Sequence, residues 1–422
     1  MASVTSEKPI VIDNMARHTL KLLEEGRFSD CDLLLRSSTR AFKPVLIPVH
    51  KVTMASSAAM NSLFTMRPAM TAITVLPGPE FRMLKAFEVA IQTLYGLPVL
   101  TNELLLPRGT MATLDQHRPA ICPPYDPATE KLAAVEFALC YAASGAFFAR
   151  RDMIEAGVTA ALARLDWHTV EMILGFGLAV DKWMIHGRAE MHPNPGCSCS
   201  CSCSCSCSSS PSSPLVFPGL TLDEELREFW APKLVDASLE FIAWKASPSF
   251  ELSTAAQVTT MPDRIISAEN FILHSSSDSI FGFEVTTSSS FSAMHYLPSS
   301  LRNAAPRQPG HVLSAILLAL PFDTLQTLLA RIPARAQRCW YENGVCAGLV
   351  VEREQRRVAT IRKWKHRQSI LEDGGTLVLV PRDLGFQETL LIRHLDGLGP
   401  VYPLFEFVLR KLWVGVTCLF DL

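Results

Sequence analysis

The sequence predicts an α+β protein: a small sheet with flanking helices in its first half, then a mostly α-helical C-terminal region. Three observations predict it. Short runs at 31–35, 42–49 and 72–76 are rich in Leu and Val and have strand composition. Elsewhere apolar residues recur at helical spacing, as Phe81, Leu84, Phe87, Ile91 and Leu94 do. A tract of alternating Cys and Ser, Cys197 to Cys207, separates the two halves.

Taken in order, Asp13 is an N-cap for the amphipathic run NMARHTLKLLEE, and Gly26 is its stop, where positive φ costs little. A helical stretch covers 51–64. Pro77, Gly78 and Pro79 punctuate, and the helix that starts near Phe81 ends at Gly96 and Pro98. Residues 107–128 carry Pro and Gly without periodicity and read as an inserted loop. The run 131–149 is apolar nearly all round, as a centrally buried helix is. Helices at 152–165 and 169–178 complete the half. The predicted layout is therefore a tail 1–14, a domain 15–190 with a helical extension 150–190, a linker 191–218 and a region 219–422. The Cys/Ser/Pro linker has little to offset the entropy of ordering and is expected to be disordered.

In the second half TLDE, from Thr221 to Glu224, has the form of a capping box. Helices are expected at 234–244, 311–320, 324–331 and 344–367, with a break at Pro321. Residues 275–292, rich in Ser and Thr, are expected to be irregular. Short strands are expected at 376–380 and 389–393, and a last helix at 404–413.

The totals exclude several classes. A net charge of −2 over 422 residues gives no global attraction to nucleic acid or anionic membrane. No apolar run approaches the roughly 18 residues that span a bilayer; the best, 312–320, is stopped by Pro321 and Asp323. The N-terminus lacks the basic start and apolar core of a secretory signal. A cytoplasmic or nuclear protein without a membrane partner is the expectation. Half of the 12 cysteines lie in the tract, and the scattered ones read as small buried hydrophobes. No nucleophile elbow, phosphate loop, dinucleotide fingerprint or metalloprotease motif occurs, so neither an enzyme nor a bound cofactor is expected.

Four runs resemble the BTB/POZ family in order. GRFSDCDLLL is similar to its F-S-D entry into the first strand. VLIPVHKVTMASSAAMNSLF is similar to its strand-to-helix passage with a His-basic pair. AFEVAIQTLYG resembles its helix that ends in an aromatic before a Gly turn, and EFALCYAASGAFFARRDMIEAGVTAAL its closing Ala-rich helix pair. Later runs, LDWHTVEMILGFGL among them, are similar to uncharacterised fungal members. The family ordinarily has a Thr where Tyr95 meets Gly96 directly. The resemblance implies an interaction adaptor or scaffold that forms a homodimer, and service as a substrate adaptor of a cullin-type ubiquitin ligase. The hydrophobic-x-Glu motif expected for cullin binding before the Phe81 helix is not found.

By the same resemblance Asp30 and Lys51 occupy an acid and a base position lining a charged pocket near the dimer interface. The plainer alternative is a strand-edge acid and a surface lysine. Self-association is expected through the first helix, with Met15, Leu20, Leu22 and Leu23 against a second copy, since they cover more of its circumference than one intramolecular contact needs. His50 reads as a core histidine, because no second ligand stands at metal spacing. The Cys/Ser tract could wrap a soft metal, but strict alternation with Ser and no other ligands is what a simple repeat expands into, and a flexible linker is the reading preferred. An alternative function is a nucleic-acid-associated regulator using the basic helix 351–367, with Arg353, Arg356, Arg357, Arg362, Lys363, Lys365 and Arg367. Interleaved Glu352 and Glu354 fit a solvated amphipathic helix better.

Overall fold

A computed structural model places the three strand-like runs of the first half side by side, in an α+β arrangement. It describes residues 14–36, 44–101, 127–190, 221–258, 261, 286–287, 307–371, 384, 386–395 and 404–414. The inserted loop for nearly all its length, the linker 191–218 and the expected strand 376–380 lie outside the described residues. The chain divides into two units, each assembled from separate stretches. The first comprises Met1–Arg164, Ala179–Pro232 and Phe283–Asn303, the second Leu165–Leu178, Lys233–Gly282 and Ala304–Leu422.

In the first unit, α1 (Asn14–Glu25) leads to β1 (Cys31–Leu35), whose Cys31, Leu33 and Leu35 face inward. β1 pairs antiparallel with β2 (Val45–Val49), from Cys31 opposite Val49 to Leu35 opposite Val45. It pairs parallel with β3 (Ala72–Pro77). Ile73, Thr74 and Val75 are buried in succession, so β3 is covered on both faces. The stretch between β2 and β3, read as one helix, is two: α2 (Lys51–Met54) and α3 (Ala58–Met66). Ser57 makes the break, its hydroxyl accepting the Met60 N–H as an N-cap. Phe81 is buried three residues ahead of α4 (Leu84–Leu94) rather than inside it.

α5 (Pro127–Phe147) is buried almost throughout from Val135 on, as its all-round apolarity requires. It packs against α6 (Arg151–Leu162). Gly157 sets that approach: a Cβ there would stand 2.4 Å from the Ala138 carbonyl oxygen. The chain returns to the sheet as β4 (Ile185–Glu190), antiparallel to β3. β4 was not foreseen, since IHGRAE has neither alternation nor strand composition and is held by its partner. With β5 (Thr286–Thr287) against β2, the sheet order is β4-β3-β1-β2-β5.

Two boundaries differ from the predicted layout. α7 (Val170–Leu178), expected in the first domain's extension, buries Val170 and Leu174 in the second unit's core. Residues 219–232, assigned to the C-terminal region, belong to the first unit. The capping box is not formed either. The helix begins at Asp223, so the N-cap is Leu222, whose side chain cannot hydrogen-bond, rather than Thr221.

In the second unit, α8 (Ala231–Lys245) is followed by α9 (Pro309–Ala319), α10 (Phe322–Arg331), α11 (Ala334–Glu342) and α12 (Val345–Leu371). Pro309, Pro321 and Pro333 stand at the starts of α9, α10 and α11, where a missing N–H costs nothing. α9 is buried from Val312 to Ala319 and is the centre of the core, with Leu325, Leu328, Trp340 and Leu349 against it. The Trp340 indole N–H donates to the Ser247 carbonyl at 2.8 Å. The last element is a hairpin, β6 (Phe386–Leu395) and β7 (Leu404–Trp413), paired from Phe386 opposite Trp413 to Leu395 opposite Leu404. β7 replaces the expected helix. Its Leu409 is buried while Arg410 is exposed, and its backbone is held as a strand by the pairing with β6.

Gly157→Ala is expected to destabilise the chain by about 1–3 kcal/mol through overpacking against a backbone that cannot yield. Gly310→Ala, where nothing lies within 4 Å of the added methyl, should be neutral or slightly stabilising. Urea midpoints of the two variants check this.

Candidate functional site

The candidate site is the junction where α1 hands over to the sheet. α1 ends with the Gly26 N–H donating to Leu23 O and the Arg27 N–H to Leu22 O, Gly26 at φ 62°. Phe28 then also takes a left-handed φ, 61°. In a bulky residue this is costly backbone, about 1–3 kcal/mol, and it leaves the ring 77% exposed. The Arg27 guanidinium stands 5.3 Å from the ring centroid.

Two residues on, the Asp30 N–H donates to Val49 O and extends the β1–β2 pairing. Its carboxylate accepts the backbone N–H of Lys51 at 2.7 Å, and so caps the first turn of α2. The Lys51 ammonium turns away and donates to the Pro68 carbonyl at 2.9 Å. Asp30 and Lys51 are therefore brought together, but through the lysine's backbone. Asp30 is exposed and Lys51 half-buried, so this is no buried ion pair.

His50 precedes Lys51 and is the hub beneath the junction. Its Nε2 lies 2.7 Å from the Arg27 carbonyl, which can only accept, so Nε2 carries the proton. Its Nδ1 then accepts from the Tyr95 hydroxyl at 2.9 Å, while its backbone N–H donates to the same oxygen at 2.7 Å. Both ring nitrogens are used, which leaves neither for a metal or a substrate. Burial pushes the Tyr95 phenol up. The neighbouring Cys31 thiol is pushed up to about 11, by burial first and against the pull of Lys51, so it stays a thiol.

α1 is docked by its other face. The Thr19 hydroxyl lies 2.9 Å from the Tyr95 carbonyl. Gly96 (φ 99°) lets Ala16 approach so closely that a Cβ at 96 would stand 2.6 Å from the Ala16 methyl. Leu23 is fully buried in this contact region and is corrected as a partner-facing residue: its surface is used within the unit. Leu20 and Leu22 are half-buried, and Met15 is exposed. Three residues were missed. Phe28, Val52 (83% exposed) and Met66 flank the Asp30–Lys51–Pro68 hydrogen bonds and are exposed large apolar side chains. Val52, outward on α2 beside Lys51, was the legible signal.

The basic helix fares differently. Arg353 is 0% exposed, and Arg357, also buried, pairs with Glu354 and donates to Leu384 O at 2.6 Å. Arg356 bonds Glu352 and the Thr254 and Ala256 carbonyls. Arg362 and Lys363 are exposed. Two members of the expected stripe, Arg353 and Arg357, are thus turned inward, and Arg356 is spent on nearby carbonyls and Glu352; the side chains of Lys365 and Arg367 lie outside the described residues. Among the described residues no group of three or more His, Cys, Asp or Glu could hold a metal ion, and no helix is long and apolar enough to cross a membrane. The Cys/Ser tract lies outside the described residues.

No family model, curated protein or solved structure matches the chain.

Tyr95→Phe is expected to cost about 1–3 kcal/mol, because the His50 N–H loses its buried acceptor and Nδ1 its donor. Denaturant midpoints check this. Val52→Ala, at an exposed position, should change the midpoint little.

Proposed function

We propose that this protein is an interaction adaptor, acting through a BTB/POZ-like domain in its first unit and forming a homodimer through the α1–β1 junction. One observation carries the reading: Phe28, Val52 and Met66 are large apolar side chains left exposed around one hydrogen-bonded junction, Phe28 at a backbone cost. Large exposed apolar side chains are what an interaction surface presents, and a strained residue is held where its surroundings over-determine it. The positions of the four family-like runs support the fold reading. F-S-D stands at the entry to β1, the His-Lys pair between β2 and α2, Tyr95–Gly96 at the end of α4, and the Ala-rich runs form α5 and α6. Against the nucleic-acid alternative stands the inward use of Arg353, Arg356 and Arg357. A cullin-type scaffold is the partner left if the chain does not pair with itself.

Sedimentation of the full chain tests the proposal. The wild type is expected to have twice the chain mass at tens of micromolar, and Phe28→Asp with Val52→Asp the single mass at an unchanged melting temperature. Two desolvated charges cost several kcal/mol in an interface, so association should weaken by about a hundredfold or more. A monomeric wild type removes the homodimer. Leu23→Asp, by contrast, is expected to unfold the first unit.

A further inference from the structure

Glu136 is an acid in the apolar middle of α5. Its side chain is 2% exposed, and its Oε2 has no hydrogen-bond partner among the described residues. One turn along the same helix face, Cys140 meets the backbone of Arg82 and Met83, so this face of α5 addresses the loop 78–83. That loop carries Glu80 and Arg82, ion-paired at 2.6 Å and each about a third exposed. The loop is also bound to the turn before β4. The Gly78 N–H donates to Met184 O at 2.8 Å and the Glu80 N–H to Lys182 O at 2.9 Å. The approach is tight, since a Cβ on Gly78 would stand 2.3 Å from Lys182 O. What moves Arg82 therefore reaches the turn 182–184 and the edge strand β4.

We propose that Glu136, Arg82 and Glu80 form a proton-gated exchange: with Glu136 uncharged Arg82 pairs with Glu80, and ionised Glu136 draws Arg82 away and shifts the 78–83 loop with the turn bonded to it. The only covalent change is loss of the carboxyl proton to water. Burial pushes the Glu136 carboxyl up to about 7; Arg82 favours its ionisation and Glu80 opposes it. Cys140 stays neutral, because burial raises its thiol far above the usual range. On α4, Lys85 and Glu88 are paired with each other at 3.3 Å. On α6, Asp152 is taken by Arg150. His186 and Arg188 lie on β4. The sign follows from the raised value. The stability that uncharged Glu136 contributes is complete below the ordinary carboxyl range, near 4.5, and is lost as pH rises through about 7.

Hydrogen exchange of the full chain, corrected for the intrinsic rate, tests this in peptides covering 78–83 and 182–184. In the wild type protection is expected to fall as pH passes 7, by up to about tenfold per pH unit, the limit that one ionisation sets. Glu136→Gln should abolish the response. Glu80→Gln, leaving Arg82 to Glu136, should move it to lower pH, and Arg82→Met, which removes the group that Glu136 draws, should abolish it. These two variants decide the matter even if Glu136→Gln fails to fold. A response that persists in Glu136→Gln or in Arg82→Met, or one that Glu80→Gln does not move, overturns the proposal.

Discussion

The second unit is organised around one buried charge. Arg353 holds the Glu388 carboxylate with two N–H groups, at 2.8 and 3.1 Å, and sends a third nitrogen to the carbonyls of Leu317, Leu318 and Leu320. Those carbonyls belong to the end of α9, where an α-helix leaves its last acceptors without partners. A guanidinium removed from water is very costly unless its donors are all met, and here a bidentate carboxylate and a helix C-terminus meet them together. One side chain on α12 thereby fixes the end of α9 and the position of β6. It also explains why α9 can be apolar all round: the polar groups of its last turn are answered from outside the helix.

The first unit reaches its junction by a different device, a polar hub built on one imidazole ring. His50 holds Arg27 O and Tyr95 through its two ring nitrogens, so the turn after α1, the start of α2 and the end of α4 share one residue. The Asp30 carboxylate on the Lys51 N–H adds a charge where the helix N-terminus favours one. The cost appears nearby, in the left-handed Phe28. A Gly at 28 would remove that cost and also the exposed ring, which separates a purely structural turn from one that presents a side chain.

Much of this was legible in the sequence, and the failures have physical causes. β1 could be read because its Cys31, Leu33 and Leu35 alternate in depth with their neighbours, and β3 because its β-branched Ile73, Thr74 and Val75 suit a strand covered on both faces. α5 could be read because only a central helix tolerates apolar residues on every side. β4 could not, since its sequence is polar and glycine-containing and its structure is conferred by β3. β7 was misread because LFEFVLRKLW supports apolar contacts at both two- and four-residue spacing, and only its pairing with β6 decides. At the site, Asp30 and Lys51 were rightly placed together, but a sequence cannot show that the lysine's backbone N–H makes the bond. Leu23 was indistinguishable from Leu20 and Leu22 for the same reason: which part of an amphipathic circumference is covered depends on what docks there, and Ala16, Thr19 and Gly96 set that docking.

The basic stretch of α12 shows why charge counts alone do not indicate function. Along α12, seven basic residues fall within fifteen positions, a density that in a solvated helix attracts phosphate. Attraction of that kind requires cations free to exchange a counterion for a ligand. Arg353 and Arg357 are held by carboxylates and carbonyls that would be left unpaired if either turned outward, and an unpaired buried carboxylate such as Glu388 costs more than a surface phosphate contact returns. Arg353, Arg356 and Arg357 therefore act as acceptor-binding struts, while Ala347, Val351 and Gln355 face outward together with Arg362 and Lys363.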